Sequence, residues 1–370
     1  MKKLLLCTLS LFAFVGLTGC GSETKLTAEE AQTELKEIST NTLKASNDAL
    51  QGSVKFAGNL NVQANNVKGY KEVAGQKTEI FTVSQAAADA KANFSLNTST
   101  DFDNKLIKIS ANGEAKLKAN AKVSGLDELK ADYSADGKAT VYLKGAEVAE
   151  GEDSKANAYV DYSANVSEEL AKVANLEKTK FEGKANIKIP GMDISLPDDE
   201  YFDSEDFVVD FDEFINDWTI FKKKGNKIVA DCSDLKAFKI DGDVIAVQEE
   251  LKKYGLTLNV SKFEIGFDKE KRLTSFDFAL GLKGKVDLAK LELSKEDIKD
   301  MAESFEFLGT LSSMIENMDS FSGTVSVDFG VSLNADVKYS SSTITIPEDL
   351  TKIEEKTIDE LMGFGSSSED

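Results

Sequence analysis

The 370-residue chain contains no histidine, so its serine and cysteine residues lack the side chain that most often activates a nucleophile. This excludes Ser-His-Asp triads, Cys-His pairs and histidine-ligated zinc. Ser233 and Lys236 have the Ser-x-x-Lys spacing in which a lysine can activate a serine for acyl transfer, but the companion Ser-Asp-Asn and Lys-Thr-Gly motifs are absent. We therefore predict a turn there, a buried unreactive thiol at Cys232, no catalytic residues and no enzyme.

One stretch has part of the pattern of a calcium-binding loop. Asp132, Ser134, Asp136 and Gly137 match the first, third, fifth and sixth positions of an EF-hand. The twelfth position, which requires a bidentate glutamate, is Leu143. Because Asp-Gly between two alternating runs is a strong signal for a two-residue turn, we predict a β-hairpin instead.

The segment from Asp198 to Asp217 contains ten acidic residues among phenylalanines. Such a charge run usually forms a solvated surface, so calcium binding there stays open and no metal ligand is assigned. The whole chain has a formal net charge of −21, with 44 basic and 65 acidic residues. Nucleic-acid binding needs clustered lysine and arginine, so we expect no nucleic-acid partner.

The most informative cysteine is Cys20. Lys2 and Lys3 precede an apolar run, residues 4–15, that is too short to span a bilayer as a helix. The run is followed by Leu17-Thr18-Gly19-Cys20. Together these features resemble the signal peptide and lipobox of bacterial lipoproteins. The resemblance implies cleavage between Gly19 and Cys20 and a diacylglyceryl thioether on Cys20.

Lipidation of Cys20 would place the protein on the extracytoplasmic face of the cell membrane. Acyl chains contribute about 0.8 kcal/mol per buried CH₂, and two chains suffice for stable anchoring. Loss of residues 1–19 removes two lysines and no acid, so the formal charge becomes −21 − 2 = −23. Anionic headgroups should repel such a body, which leaves the lipid as the attachment. No cofactor is expected besides this covalent lipid, and the identity of any protein partner is left open.

Alternating strands dominate the rest of the chain. The longest run extends from Ile107 to Val123 and either bends at Gly113 or belongs to an unusually tall sheet. Thr27 and Glu30 form a capping box that predicts a helix over residues 28–49, and a phase shift near Ser261 predicts a β-bulge. A second, more apolar helix is predicted from Ser294 to Met318.

We predict five segments. They are a signal peptide at 1–19, a lipidated tether at 20–26, a helix with a long-stranded antiparallel sheet at 27–196, an acidic crossover with a hairpin, helices and remaining strands at 197–346, and a C-terminal helix with a disordered tail at 347–370. Whether 27–196 and 197–346 form one continuous domain or two is left open.

The predicted fold is a β-rich α+β fold, a large curved antiparallel sheet with a few amphipathic helices packed on its concave face. This pattern resembles the half-barrels of LolA-like and LppX-like lipid and lipoprotein carriers. The resemblance implies a hydrophobic or amphiphilic ligand between sheet and helices. Small residues of the run from Ile107 to Val123 could leave space for such a ligand, or could let the helix at 28–49 approach and fill a closed core. They are Ala111, Gly113, Ala115, Ala119 and Ala121. The candidate cavity residues are Phe305, Leu308, Ile315, Val327, Phe329 and Val331.

A second function stays open. A structural or protein-interaction lipoprotein would have a closed core, no ligand and an acidic surface through which it meets its partners.

Overall fold

The computed structural model describes most of the chain after residue 22. The described residues are 23–45, 50–101, 104–124, 127–145, 155–191, 215–231, 237, 249, 251–290, 317–340 and 342–357.

Within these residues, thirteen strands form one sheet. They are β1 (Glu23–Lys25), β2 (Leu50–Val73), β3 (Gln76–Asp101), β4 (Leu106–Val123), β5 (Leu129–Gly145), β6 (Lys155–Val166), β7 (Lys180–Pro190), β8 (Phe221–Lys224), β9 (Lys227–Ala230), β10 (Leu256–Phe267), β11 (Leu273–Asp287), β12 (Ser320–Tyr339) and β13 (Glu355–Thr357).

The spatial order of the strands joins the two halves of the chain. It runs β1-β8-β9-β10-β11-β12-β2-β3-β4-β5-β6-β7-β13, so β1 and β13 are the two edges of an unclosed sheet. The pair β12 and β2 connects the halves, with Phe329 opposite Leu60. The sheet is large, as predicted, but it is mixed rather than purely antiparallel. The exception is β13, which pairs with β7 in parallel.

The central strands are far longer than the usual limit near ten residues. β4 has 18 residues and continues through Gly113, which lies opposite Gly137 in unbroken register. Of the two alternatives for this run, a bend at Gly113 or an unusually tall sheet, the structure shows the tall sheet. A Cβ at Gly113 would lie 3.7 Å from Cδ2 of Phe94, so the aromatic ring covers the glycine.

The predicted hairpin at Asp136-Gly137 is wrong. These residues lie inside β5, where Asp136 pairs with Glu114 of β4 and with Asn165 of β6. Pairing on both sides outweighs the local turn preference, and Gly137 does not have a positive φ. The strand also rules out an EF-hand loop at residues 132–143, because a calcium loop needs a sharply turned backbone.

Other local predictions are confirmed. The register of β10 and β11 shifts between Val260 and Lys262, which is a bulge at Ser261. In the capping box, the amide of Glu30 donates to Thr27 Oγ1 at 3.2 Å, and the amide of Thr27 donates to Glu30 Oε2 at 2.8 Å.

Three α-helices lie wholly in the described part of the chain, α1 (Ala28–Lys44), α2 (Glu168–Val173) and α3 (Glu348–Thr351), and the described residues 249 and 251–253 are also helical. α1 is shorter than predicted and buries Ala31, Leu35 and Ile38 against the side of the sheet formed by β8 to β11. α3 buries Leu350 with Leu106 and Tyr142. These two strand residues point away from the face that carries Ile107 and Leu143, so α3 packs on the opposite face. A set of helices covering one concave face is therefore not seen among the described residues.

Candidate apolar ligand site

The middle of the sheet has one apolar face. Alternate side chains of β12, β2, β3, β4 and β5 point to this side, and the strand registers bring the apolar positions into line. We call it the apolar face. Its central row consists of small residues opposite one another on four neighbouring strands, Gly58, Ala92, Ala115 and Ala135.

Larger side chains stand on both sides of the small-residue row. Two residues away along the strands, on one side, lie Phe56 and Phe94, which are directly opposite each other. On the other side lie Leu60, Leu117 and their cross-strand neighbours. Because side chains two positions apart on a strand share a face, the small residues form the floor of a groove between these walls.

The groove has a volume of about 520 Å³. Phe56, Leu60, Phe94 and Leu117 are 37–45% exposed around it, although each is large and apolar. Leu170 of α2 also lines the groove. Contiguous exposed apolar surface of this kind usually marks a binding site.

On the same face, the strands to either side of the groove are better packed than the groove itself. At one side, a cluster around Phe221, Ile228 and Ile265 lies beneath α1. At the other side, Leu143, Ala156 and further residues of β4 to β7 form a second cluster. The region under α1 is therefore separate from the groove, and α1 does not pack on the small residues of β4.

The opposite face of the same strands is polar. Lys118 of β4 donates to Asp132 of β5 at 2.9 Å, and Lys283 of β11 donates to Asp328 of β12 at 2.8 Å. These four side chains are 48–77% exposed, so such pairs add solubility more than stability. The sheet thus has one wettable face and one face that water wets poorly.

Three of the six predicted cavity residues lie on the apolar face. Phe329 and Val331 line the groove, and Val327 lies two positions before Phe329 on the same face. Phe305, Leu308 and Ile315 lie outside the described residues. Met318, which the sequence places at the end of the same helix, is described and is buried against Phe81 and Val123.

The other site residues predicted from the sequence fall outside the described part of the chain. These are Gly19, Cys20, Cys232, Ser233, Lys236 and most of the acidic segment from Asp198 to Asp217.

The groove residues that sequence analysis missed are Phe56, Leu60, Leu117 and Tyr133. The alternation of each strand was recognisable, but the pairing that brings these residues into one place involves several separate strands. No signal within a single strand specifies that register.

Chemistry beyond apolar contact has little support in the described residues. No group of three or more histidine, cysteine, aspartate or glutamate residues is placed to hold a metal ion there. No helix found among them is long and apolar enough to cross a membrane. Lys91 and Lys116 also line the groove, but each lies between two residues of the apolar face, so strand alternation directs its side chain to the opposite, polar face. The side chains that point into the groove are therefore suited to contact with hydrocarbon.

A partly buried cluster of charges lies under α1, away from the groove, and is centred on Glu34, whose side chain is 18% exposed. Glu34 accepts hydrogen bonds from Lys223, at 2.5 Å, and from Lys271. Burial raises the pKa of Glu34, but these two hydrogen bonds outweigh it and hold the pKa below its usual value. Both ammonium groups also lie over the ring of Phe267, at 5.5 and 5.0 Å from its centroid. This cluster attaches α1 to the sheet.

No protein-family model matches the chain, and no curated protein matches it. Among solved structures, the chain is similar to the secretin InvG of the Salmonella type III secretion injectisome in its open gate state. The identity is 8% over 87% of this chain and 68% of that chain, with a TM-score of 0.17.

Two further solved structures have similarly low sequence identities and TM-scores. The β domain of the Bordetella autotransporter Brka is 8% identical over 78% of this chain and 99% of that chain, with a TM-score of 0.15. A FadL homologue of Pseudomonas aeruginosa is 6% identical over 79% and 90%, with a TM-score of 0.13. TM-scores this low do not define a shared fold, so the likenesses bear on neither family nor function.

Proposed function

We propose that this protein is a lipoprotein, anchored through Cys20 on the extracytoplasmic side of the membrane, that binds a hydrophobic or amphiphilic ligand on its apolar face. The groove over the small-residue row is the observation that carries the proposal. The anchor rests on the resemblance of residues 1–20 to a lipoprotein signal peptide. The half-barrel form, in which the stripe of Phe305, Leu308 and Ile315 covers the ligand, is the finer part of the same proposal.

The dimensions of the groove favour an acyl chain. From Val331 to Ala135 the floor crosses four strand spacings, which is about 19 Å at ~4.8 Å per spacing. The hydrocarbon core of a bilayer is ~30 Å thick, so the chain of one leaflet spans about 15 Å. A single extended lipid chain therefore fits across the strands, with its headgroup outside the groove.

The proposal is tested by native mass spectrometry of the lipidated protein purified from its own host. Extraction with organic solvent removes a bound lipid and leaves the covalent lipid of Cys20 in place. We expect a reproducible extractable lipid, and saturable uptake of a fluorescent long-chain fatty acid by the extracted protein.

Two variants of β4 separate the groove from the rest of the sheet. Leu117→Asp puts a charge on the apolar face, and Asn120→Asp adds the same charge on the polar face. Burying a leucine contributes about 1.5–3 kcal/mol, so Leu117→Asp should weaken fatty-acid binding at least about tenfold. Asn120→Asp should leave binding within about twofold. No extractable lipid together with no uptake would refute the ligand and leave a structural or protein-interaction lipoprotein.

A further inference from the structure

The first strand of the described chain lies at one edge of the sheet, close in sequence to the proposed anchor. β1 pairs with β8, with Lys25 opposite Lys222 and Glu23 opposite Lys224. Glu23 follows Cys20 by three residues, and a chain extends at most ~3.6 Å per residue. The backbone of β1 therefore begins within about 11 Å of Cys20, whatever the path between them.

The outward side of this edge is basic. Lys25, Lys222, Lys224 and Lys227 share one face of the sheet, because Lys25 is opposite Lys222 and Lys224 is opposite Lys227. We call these four side chains the edge lysines. Like charges directly opposite each other on neighbouring strands are destabilising. Two such pairs side by side indicate a surface that is suited to an anionic partner.

Nearby acids neutralise only part of this charge. Glu23 lies 3.4 Å from Lys224 and 4.0 Å from Lys222, and Glu264 of β10 lies 2.8 Å from Lys227. Together with the four edge lysines they sum to +4 − 2 = +2. The whole chain carries −21, so this group of six side chains has the opposite sign from the molecule as a whole.

We propose that the three more exposed edge lysines, Lys25, Lys222 and Lys224, contact the anionic phospholipid headgroups of the membrane that holds the anchor. This inference rests on the proposed lipidation of Cys20. Surface charges are felt within a Debye length of ~8 Å at physiological ionic strength, and the short tether keeps the edge near that range. The acidic remainder of the chain is repelled by the same headgroups, so this edge turns towards the bilayer. The simple expectation that headgroups repel the whole body is thereby refined.

The test compares lysine reactivity of the lipidated full-length protein in two kinds of vesicle. One contains phosphatidylcholine alone, and the other contains phosphatidylcholine and phosphatidylglycerol at about 7:3. Each lysine is acylated with a water-soluble reagent, and its rate is followed by peptide mass spectrometry. Lys116 and Lys118 of β4 are controls, because seven strand spacings of ~4.8 Å place them about 34 Å from β8.

We expect acylation of Lys25, Lys222 and Lys224 to slow at least about fivefold in the anionic vesicles, and to recover in about 0.5 M NaCl, where screening is short-ranged. Lys116 and Lys118 should react equally in both vesicles. Equal rates for the edge lysines would overturn the proposal and leave them as charges that only protect an edge strand from pairing with other chains.

A pair of double variants strengthens the test. Lys222→Gln with Lys224→Gln should abolish the protection of Lys25, whereas Lys116→Gln with Lys118→Gln should preserve it. Intact mass shows whether Cys20 is lipidated before the vesicles are added, and an unlipidated chain would overturn the inference together with the anchor. Failure of the groove to bind a fatty acid would not change lysine reactivity, so the two proposals fail separately.

Discussion

Ser275 of β11 is fully buried, and its hydroxyl has no hydrogen-bond partner within the described structure. It stands opposite Gly266, where a Cβ would collide with Ser275 Oγ. An unsatisfied buried polar group costs about 1–3 kcal/mol, and alanine removes the hydroxyl while keeping the Cβ. We expect Ser275→Ala to raise the free energy of unfolding by about 1 kcal/mol in urea denaturation. Ser326→Ala on β12 is the control and should change it little. A loss of stability in Ser275→Ala would mean that the hydroxyl is satisfied.

Glu34 should make stability depend on pH. Its folded-state pKa lies below its ordinary value of 4.5, because hydrogen bonds from Lys223 and Lys271 outweigh the effect of burial. A lowered carboxyl pKa contributes stability above the unfolded value, and this contribution is lost as the pH falls through the folded value. Glu34→Gln should therefore cost about 1–2 kcal/mol at pH 7, and the difference from wild type should shrink below about pH 4. Urea denaturation at both pH values, with exposed Glu29→Gln as control, measures this. A difference independent of pH would contradict it.

At the scale of elements, the sequence predicted what depends on neighbouring residues and missed what depends on partners. The capping box of α1 and the bulge at Ser261 follow from residues a few positions apart, and both are confirmed. Asp136-Gly137 is likewise a local signal, in this case for a turn. It nevertheless lies inside β5, because β4 and β6 pair with it on both sides. The preference of one dipeptide for a turn is weaker than the backbone hydrogen bonds that β5 makes with the strands on both of its sides.

The position of Gly137 in a strand gives a test with a definite sign. Glycine inside a strand is destabilising by roughly 0.5–1 kcal/mol relative to alanine, and a Cβ at Gly137 would meet Ala164 Cβ at 3.4 Å, an ordinary contact. Gly137→Ala should therefore stabilise the protein by about 0.5 kcal/mol in urea denaturation. Gly75 lies in the real turn between β2 and β3 with a φ of 79°, so Gly75→Ala should destabilise by about 1 kcal/mol. Destabilisation by both substitutions would contradict a strand at Gly137 and would support the turn that the sequence predicts there.

For the whole molecule, the sequence indicated a large β-sheet but not the order of its strands. The groove exists because β12, near the end of the chain, pairs with β2, near its beginning, and brings Phe329 beside Leu60. Each of these strands shows an apolar side by alternation alone. Nothing in the alternation states which apolar sides meet, because any two such strands satisfy the same pattern. The floor and walls of the site are therefore a property of the sheet order.

An apolar face of this size ties stability to the ligand. A ligand that binds only the folded state stabilises it by about 2.7 kcal/mol at a concentration of 100 times Kd. Solvent extraction should therefore lower the Tm of the lipidated protein, and added long-chain fatty acid should restore it in a concentration-dependent way, as differential scanning calorimetry would show. Leu117→Asp should lose this dependence and Asn120→Asp should keep it. A fatty acid acting as a detergent would change the Tm of both variants alike, so a difference confined to the apolar face is the result that only a bound ligand explains.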